Sequence, residues 1–397
     1  MTKRICIIGN FSGRNAGDAA ILGGLLKEVT AAFGPLRFDV PTINTGFVSR
    51  QYADFDVEPV GMMPWNLSIK IFGLPIIRSI LRSDLVLVTD AILFDMKLLN
   101  PLFNYLSTMA LVLPMAKWRG IPVVLYNCSL GPAKTNMGKA CLQRVLEASD
   151  VIILRDEESL GEIPKNRDIE SRIQRGADCA LNIDPAEEER IDAILRKEDL
   201  SPNGKHFLTF NVNSYIDVFV RSRGKRIGIE EFAALISAAV NQVMPRLDAN
   251  VVFVVTQPMD MKITNMVLSG IEQHDRIRMI KNPDYTFAEL AGVFSRAQIH
   301  VGMRTHSLIL ASSVITPVVG IISTPKNRGY MKSIKQDERM VEFDVLTADY
   351  LADMVVATWD NRQVLREELA PIIVEEKAKA AGATEFLQQY LETSAES

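Results

Sequence analysis

The chain has 397 residues, of which 48% are hydrophobic and 23% charged. This composition is typical of a soluble globular protein, and the length exceeds what one hydrophobic core usually organises, which predicts two domains. Lys and Arg number 44 against 48 Asp and Glu, so the net charge of −4 lacks the basic excess expected of a nucleic-acid-binding protein.

The cysteines and the apolar segments favour a cytosolic protein. Cys6, Cys128, Cys141 and Cys179 are scattered without CxxC spacing, which predicts reduced structural thiols. The first apolar run, "RICII", is too short for a secretory signal. The segments "LPIIRSIL" and "LSTMALVLPMAKW" fall short of the ~20 residues that span a bilayer. Core packing is the favoured interpretation of both, although an apolar surface resting on a membrane is compatible with them.

Apolar strand patterns alternate with helical patterns through the first half of the chain. The predicted strands are "RICIIGN", "RFDVPT", "SDLVLVTD", "IPVVLYN" and "DVIILRD". Helices are predicted over "GDAAILGGLLKEVTAAF", with Asp18 near its N-cap, and over about 101–118 and 137–149. This alternation predicts a parallel sheet covered by helices on both faces.

A charged segment near 184–205 separates this region from a second one of the same kind. The second set of predicted strands is "FLTFNV", "NVVFVVT", "RIRMI", "QIHVG" and "PVVGII". The predicted helices lie near 229–246, 262–273, 285–296, 306–314 and 326–335. The last ~35 residues are predicted to be helical with a break around Gly382.

Together these patterns predict an α/β fold with two Rossmann-like domains that face each other across a cleft, in the manner of GT-B enzymes. We expect an N-terminal domain over 1–184, a C-terminal domain over 205–350, and helices in 351–397 that could cross back to the first domain. Ligands of open α/β sheets bind beyond the carboxyl ends of the strands, so the turns at those ends are the candidate sites.

The first βα turn, "GNFSGRNAGDAAIL", combines three glycines with polar side chains at a predicted helix N-terminus. Its spacing differs from the GxGxxG dinucleotide fingerprint, yet its backbone amides could approach an anion or a polar ligand. A glycine-rich turn that only closes the βα unit is the alternative. The candidate ligand-binding residues of this turn are Gly9, Asn10, Asn15, Gly17 and Asp18.

Three other strand ends carry weaker signals. Ser129, in "YNCSLGPAKT", could face the cleft between the domains. Arg155, in "LRDEES", is a candidate for anion binding, although a local ion pair with its acidic neighbours is the common alternative. We interpret Asp260, in "TQPMD", as part of a solvated loop.

The stretch "VGMRTHSLILAS" places Arg304 and His306 where a predicted strand ends and a helix begins. Histidine can act as a general acid or base near neutral pH, and arginine can bind a carboxylate or phosphate through two hydrogen bonds. Lys326 and Arg328, after the next strand, would add positive charge at the same edge. The other histidines, His206, His274 and His300, are interpreted as structural or surface residues.

Taken in order, these stretches resemble the polysaccharide pyruvyl transferase family. The matching segments are "GNFSGRNAGDAAIL", "CSLGP", "ILRDEESL", "RGADCAL", "GMRTHSLILASSVITPVVGI" and "TPKNRGYMKSI", spread over residues 4–335. One segment departs from the family pattern. After the strand "DLVLVT", Asp90 and Ala91 stand where the family usually has a glycine-rich turn, which affects the identity of the acceptor and could affect activity.

The resemblance implies a cytoplasmic transferase that moves pyruvate from phosphoenolpyruvate to a sugar of a cell-surface glycan or its precursor, forming a ketal. It implies no metal and no cofactor, with phosphoenolpyruvate as co-substrate. His306 would then be the general acid/base with Arg304 beside it. Donor-binding residues would be Arg155, Arg304, Lys326 and Arg328, and acceptor contacts would come from the first turn, Asp90 and Ser129.

Two other functions are compatible with these residues. One is a GT-B glycosyltransferase with a nucleotide-sugar donor, and the other is a non-catalytic family member that binds glycan, as the altered turn at Asp90 suggests. The expected partners are phosphoenolpyruvate and a glycan or lipid-linked sugar, without nucleic acid. Peripheral contact with the inner face of a membrane and an oligomeric state are both compatible with the sequence.

Overall fold

The computed structural model describes residues 3–62, 74–95, 105–201, 204–214 and 227–396. The chain divides into two compact units. The first unit comprises Met1–Gly13, Ile21–Asn182 and Lys377–Ser397, and the second comprises Arg14–Ala20 and Ile183–Glu376. The start of the helix predicted over about 101–118, and residues 202–203 of the charged segment, lie outside the described residues.

The first unit is built on a parallel sheet whose described strands have the order β3-β2-β1-β4-β5-β6-β7. These strands are β1 (Arg4–Ile8), β2 (Arg37–Thr42), β3 (Val57–Gly61), β4 (Leu85–Leu93), β5 (Val123–Leu130), β6 (Val151–Leu154) and β7 (Ile173–Arg175). The helices are α1 (Ala16–Phe33), α2 (Thr45–Gln51), α3 (Leu74–Arg82), α4 (Tyr105–Trp118), α5 (Asn136–Ala148) and α6 (Arg167–Glu170), with the first turn of α1 assigned to the second unit. Apolar side chains of β1, β4 and β5 pack with α3, α4 and α5 in one buried core.

The second unit has a parallel sheet with the described order β10-β9-β8-β11-β12-β13. Its strands are β8 (Phe207–Asn211), β9 (Asn250–Val255), β10 (Ile277–Lys281), β11 (His300–Gly302), β12 (Val318–Ile322) and β13 (Met340–Glu342). Its helices are α7 (Glu188–Lys197), α8 (Ile229–Val243), α9 (Met261–Ser269), α10 (Phe287–Arg296), α11 (Thr305–Ser313), α12 (Pro325–Ser333), α13 (Ala348–Asp360) and the first part of α14 (Arg362–Glu396). The core of this unit joins β8, β9 and β11 to α8, α9 and α13.

The predicted α/β class with two parallel sheets is confirmed, and β2 has the bounds of the predicted "RFDVPT" strand. The predicted helix break around Gly382 is wrong, because α14 continues through this residue to Glu396. The charged segment near 184–205 contains α7, whose Ile191 and Ile194 are buried in the second unit. Short strands at or near the sheet edges, β3, β7 and β13, were not predicted.

No described helix combines the length and the apolar composition needed to cross a bilayer. Among the described His, Cys, Asp and Glu side chains, none form a group of three or more that could hold a metal ion.

Candidate active site

The candidate site is built around the short turn between β11 and α11 in the second unit. Arg304 is the N-cap of α11, and its carbonyl accepts hydrogen bonds from the amide and the hydroxyl of Ser307 at 3.0 and 2.8 Å. Two asparagines that lie outside the turn form hydrogen bonds with its backbone. The Asn211 Oδ1 atom accepts from the Arg304 amide at 3.1 Å, and Asn327 donates to the carbonyl of Met303 at 2.9 Å. The backbone of the turn is therefore set before any ligand arrives.

The guanidinium of Arg304 forms a two-bond ion pair with Asp260. Its Nε and Nη2 atoms each lie 2.7 Å from an oxygen of this carboxylate. Asp260 is fully buried and also accepts from the amide and the hydroxyl of Ser214 at 2.9 and 3.0 Å. The interpretation of Asp260 as part of a solvated loop is thus wrong, because burial and four hydrogen bonds make it the residue that orients Arg304.

His306, in the first turn of α11, packs against the first turn of α1. A Cβ atom at Gly17 would lie 2.2 Å from the Cγ atom of His306, so only glycine permits this approach of ring and backbone. The amide of Ala16 donates to the carbonyl of Thr256, just after β9, at 3.0 Å. The second unit therefore brings the N-termini of two helices, α1 and α11, to the carboxyl ends of β9 and β11.

The N-terminus of α1 is capped by Asn15, and Asp18 lies near this cap, as predicted. The Oδ1 atom of Asn15 accepts from the amide of Gly17 at 3.0 Å, and its amide group donates to Asp18 at 2.6 Å. Asp18 lies in the first turn of the helix, where a carboxylate is stabilised by the partial positive charge of the helix N-terminus. Asn15, Gly17 and Asp18 thus lie in the same turn that packs against His306.

A second histidine, His300, supports the turn between β11 and α11 through its contact with Ser307. His300 is fully buried in β11, with its Nδ1 atom 2.9 Å from the Thr209 hydroxyl and its Nε2 atom 3.0 Å from the Ser307 hydroxyl. Phe294 packs edge-on against its ring at 4.7 Å. Burial lowers the pKa of His300 to about 3, so the imidazole is neutral at physiological pH.

Lys326 and Arg328 lie in the first turns of α12, in the second unit. Arg328 forms a two-bond ion pair with Glu342 of β13, at 2.6 and 2.7 Å. Part of its charge is thus compensated within the protein. Lys326 is partly exposed at the N-terminus of the helix.

In the first unit, Arg155 and Asp90 lie close together at the carboxyl ends of β6 and β4. The Nη1 atom of Arg155 is 2.7 Å from Asp178, and its Nη2 atom is 3.9 Å from Asp90. Burial opposes the charge of this guanidinium, but Asp178, Asp90 and Asp156 together raise its pKa above the usual value. The sequence offered a local ion pair with the acidic neighbours of Arg155 as the alternative, but the close partner is Asp178, and the neighbour Asp156 lies 4.0 Å away.

Asp90 stands where glycine is usual in the family, and its backbone has a φ of 70°, which glycine would adopt more easily. Its Oδ1 atom accepts from the amide of Ala91 at 2.6 Å. Two hydroxyls at the same strand ends, those of Thr89 and Ser129, are buried, and among the described residues they have no hydrogen-bond partner. The carboxyl-terminal parts of β4 and β5 therefore hold a carboxylate and two hydroxyls that can form further hydrogen bonds.

Gly9 and Asn10 follow β1 in the first unit. A Cβ atom at Gly9 would lie 2.3 Å from the ring of Phe11, so this glycine serves the close packing of an adjacent aromatic residue. Asn10 is half-buried beside it.

The structure thus groups Asn15, Gly17, Asp18, Arg304 and His306 within the second unit, and Asp90 and Arg155 within the first. Sequence reasoning missed Asp260, Asn211 and Asn327 as residues that position this site. Asp260 and Asn327 each follow a predicted strand and Asn211 lies near the end of one, which was the available signal, but no spacing distinguishes such residues from other polar groups near strand ends.

Two parallel sheets flanked by helices, with polar residues at the strand ends, define an α/β protein of the GT-B type. The family model described as polysaccharide pyruvyl transferase matches residues 15–325. The chain therefore belongs to the polysaccharide pyruvyl transferase family. Family and fold together indicate a transferase that acts on sugars.

Solved structures of similar fold have little sequence in common with this chain. The UDP-GlcNAc 2-epimerase from Neisseria meningitidis, bound to UDP-GlcNAc, has a TM-score of 0.63 at 11% identity, covering 99% of this chain and 100% of that one. Anabaena Alr3699/HepE, in complex with UDP and glucose, has a TM-score of 0.59 at 11% identity, covering 100% of both chains. At such identities the likeness concerns the fold alone. No curated protein matches the chain.

Proposed function

We propose that the protein transfers pyruvate from phosphoenolpyruvate to two hydroxyls of a sugar in a cell-surface glycan or its precursor. The observation that carries the proposal is the packing of His306 on Gly17, with Arg304 held at the start of the same helix, in a chain of this family. A proton-transferring group and a fixed cation at one helix N-terminus are the parts that this reaction needs.

The reaction has a definite proton balance. Protonation of the methylene carbon of phosphoenolpyruvate makes C2 electrophilic, and one sugar hydroxyl then forms a bond to C2. The second hydroxyl forms the other C2–O bond as the bond between C2 and the phosphate oxygen breaks. One hydroxyl proton is incorporated into the new methyl group and the other leaves on phosphate. In the proposal His306 delivers and accepts these protons as general acid and base.

Arg304 and Lys326 are the proposed contacts for the carboxylate and phosphate of the donor. The Asp260 ion pair fixes the direction of the Arg304 guanidinium, which reduces the conformational entropy lost when an anion binds. Arg155 and Arg328 are further proposed donor contacts, and like Arg304 each is paired with a carboxylate, Asp178 and Glu342 respectively.

The proposed acceptor contacts include Gly9, Asn10, Asn15, Gly17 and Asp18 from the first turn. In the first unit, Asp90 of β4 and Ser129 of β5 are also proposed acceptor contacts. The Asp90 carboxylate can accept a hydrogen bond from a sugar hydroxyl. The buried Ser129 hydroxyl can both donate to and accept from a sugar hydroxyl, and this chemistry supports the assignment.

The test is phosphate release from phosphoenolpyruvate in the presence of a panel of nitrophenyl and lipid-linked sugars. His306→Gln should reduce release at least ~100-fold with little change in donor binding, since general acid–base catalysis contributes about that much. His274→Gln, at an exposed histidine outside the site, is the matched control. Release that persists in His306→Gln would exclude the acid/base role.

The other two functions predict different outcomes in the same experiment. Tight binding of a nucleoside diphosphate, together with no binding of phosphoenolpyruvate, would support a glycosyltransferase with a nucleotide-sugar donor. Binding of glycan without phosphate release from any acceptor, and without donor binding, would support a non-catalytic protein. Either result would overturn the proposed reaction.

A further inference from the structure

Helix α4 (Tyr105–Trp118) of the first unit presents a stripe of large apolar side chains to solvent. Leu111, Met115 and Trp118 are 58%, 43% and 82% exposed. They are spaced at i, i+4 and i+7, so they lie on one face of the helix. The opposite face of α4, which includes Leu106, Met109, Leu113 and Ala116, is buried in the core. The stripe is therefore not needed to close the core of the unit.

Single exposed apolar residues are ordinary on protein surfaces, but three on one helix face form a patch. We call these three residues, Leu111, Met115 and Trp118, the α4 patch.

The segment that runs from the end of α4 through α5 is mostly basic. Between residues 117 and 150 the sequence has five basic and two acidic residues, whereas the whole chain carries a net charge of −4. The basic side chains are all exposed, and they are Lys117, Arg119, Lys134, Lys139 and Arg144. Of the two acidic residues, Asp150 lies 3.6 Å from Lys117, so its charge is already partly balanced. Positive charge is thus concentrated beside apolar surface on an otherwise acidic protein.

We propose that the α4 patch docks the protein on the surface of a bilayer containing anionic lipid. Apolar side chains of a helix lying in the interface enter the region between headgroups and acyl chains, while Lys and Arg interact with anionic headgroups. Trp118 ends the helix with the guanidinium of Arg119 5.7 Å from its ring, and tryptophan is enriched at membrane interfaces. This inference concerns a surface separate from the candidate active site and does not depend on the proposed reaction.

Charge favours a membrane over a second copy of the chain as the occupant. In a twofold dimer the same patch meets itself, which would bring the basic side chains of both copies together. An anionic bilayer instead complements them.

The experiment is flotation of the intact protein with vesicles of phosphatidylglycerol and phosphatidylcholine in equal parts, and with vesicles of phosphatidylcholine alone. We expect binding to the anionic vesicles that weakens as salt is raised. The combined variant Leu111→Ser, Met115→Ser and Trp118→Ser should lose at least ~10-fold in vesicle affinity, because each removes apolar surface from the interface. Lys139→Glu with Arg144→Glu should abolish the preference for anionic vesicles.

The matched control is Val364→Ser with Val374→Ser, which changes two valines of α14 that are 55% and 66% exposed. It should bind vesicles like the unaltered protein, and all variants should unfold at similar temperatures because the changed side chains are exposed. Equal binding by the triple variant would overturn the proposal. So would equal binding to both kinds of vesicle, or a dimer in sedimentation equilibrium that the triple variant dissociates, which would assign the patch to a second copy.

Discussion

The ring of His306 lies so close to Gly17 that a methyl group at residue 17 would fall 2.2 Å from its Cγ atom. A Gly17→Ala variant must therefore displace the imidazole by an ångström or more. A misplacement of that size can cost ~100-fold in rate, so we expect phosphate release to fall by about 10- to 100-fold. The measurement is steady-state release with donor and acceptor both saturating.

Gly382→Ala is the control for this change. Gly382 also lies inside a helix, but nothing lies within 4 Å of a Cβ atom built there. Alanine should stabilise that helix by about 0.5–1 kcal/mol and leave the rate unchanged. Full activity in Gly17→Ala would show that the imidazole position does not matter for turnover.

The ion pair of Arg304 with Asp260 should contribute much more to stability than that of Arg328 with Glu342, although the two have the same two-bond geometry. The Asp260 side chain is 1% exposed, whereas that of Glu342 is 30% exposed. Asp260→Asn leaves a charge without its partner in a dry site and should lower the free energy of unfolding by about 3 kcal/mol. Glu342→Gln should cost less than about 1 kcal/mol. Urea denaturation of both variants measures the difference, and equal losses would contradict the role assigned to burial.

The lowered pKa of His300 predicts that the protein loses stability in acid. Its pKa is about 3 in the folded protein against an ordinary value of 6.5, so the unfolded chain binds the extra proton between these two pH values. Stability should therefore fall as pH drops from about 6.5 towards 3, by at most ~1.4 kcal/mol per pH unit. His300→Gln should flatten this slope in urea denaturation at a series of pH values. A slope that is unchanged in the variant would assign the acid sensitivity to other groups.

The contribution of Glu28, in the first unit, to stability depends on pH in the direction opposite to that of His300. Burial raises its pKa to about 7 from an ordinary 4.5, although the Tyr126 hydroxyl and the Asn182 amide donate to it at 3.0 and 2.6 Å. The folded protein then binds more protons than the unfolded chain between these values. The contribution of Glu28 to stability consequently decreases as pH rises through that range, and Glu28→Gln should remove this dependence.

Two substitutions of Asp90 test the altered turn at the end of β4. Asp90→Gly relieves a left-handed backbone but loses the hydrogen bond to Ala91, and these effects are each about 1 kcal/mol. Both this variant and Asp90→Ala also remove the Asp90 charge near the buried Arg155, so the difference between the two variants isolates the backbone effect. Asp90→Ala loses the same bond without relief and should be about 1 kcal/mol less stable than Asp90→Gly.

The same pair of variants tests acceptor binding. If the Asp90 carboxylate contacts the sugar, both should raise KM for the acceptor by about 10-fold while KM for phosphoenolpyruvate stays constant. An unchanged acceptor KM in both variants would remove Asp90 from the acceptor contacts.

Long apolar strands and amphipathic helices were predicted well from the sequence because burial on both faces requires unbroken apolar runs such as that of β9. Edge strands such as β3 and β13 were missed, since the runs are short and Val341 is their only fully buried residue. The predicted break at Gly382 failed for a different reason. A single glycine costs only ~1 kcal/mol in a helix, and burial of Ala380, Ala383 and Leu387 outweighs it.

Within the site, the sequence could indicate Arg304 and His306 because residue type and strand-end position suggested chemistry. It could not indicate that Asp260 turns inward, since an acidic residue after a strand is more often solvated. The approach of Gly17 to His306 joins residues 289 positions apart in the chain, and only the three-dimensional packing of α1 and α11 reveals it.

The contact of Thr209 with His300, 91 positions later in the chain, shows that the support of Arg304 and His306 is not contiguous in the sequence. The Arg304 carbonyl depends on Ser307, Ser307 on His300, and His300 on a hydroxyl contributed by β8. A graft of the contiguous "GMRTHSL" segment into another scaffold would therefore transfer the reactive side chains without the support that orients them. The transferable unit includes the strand pair β8 and β11, the start of α11 and Asp260, which follows β9 and orients Arg304.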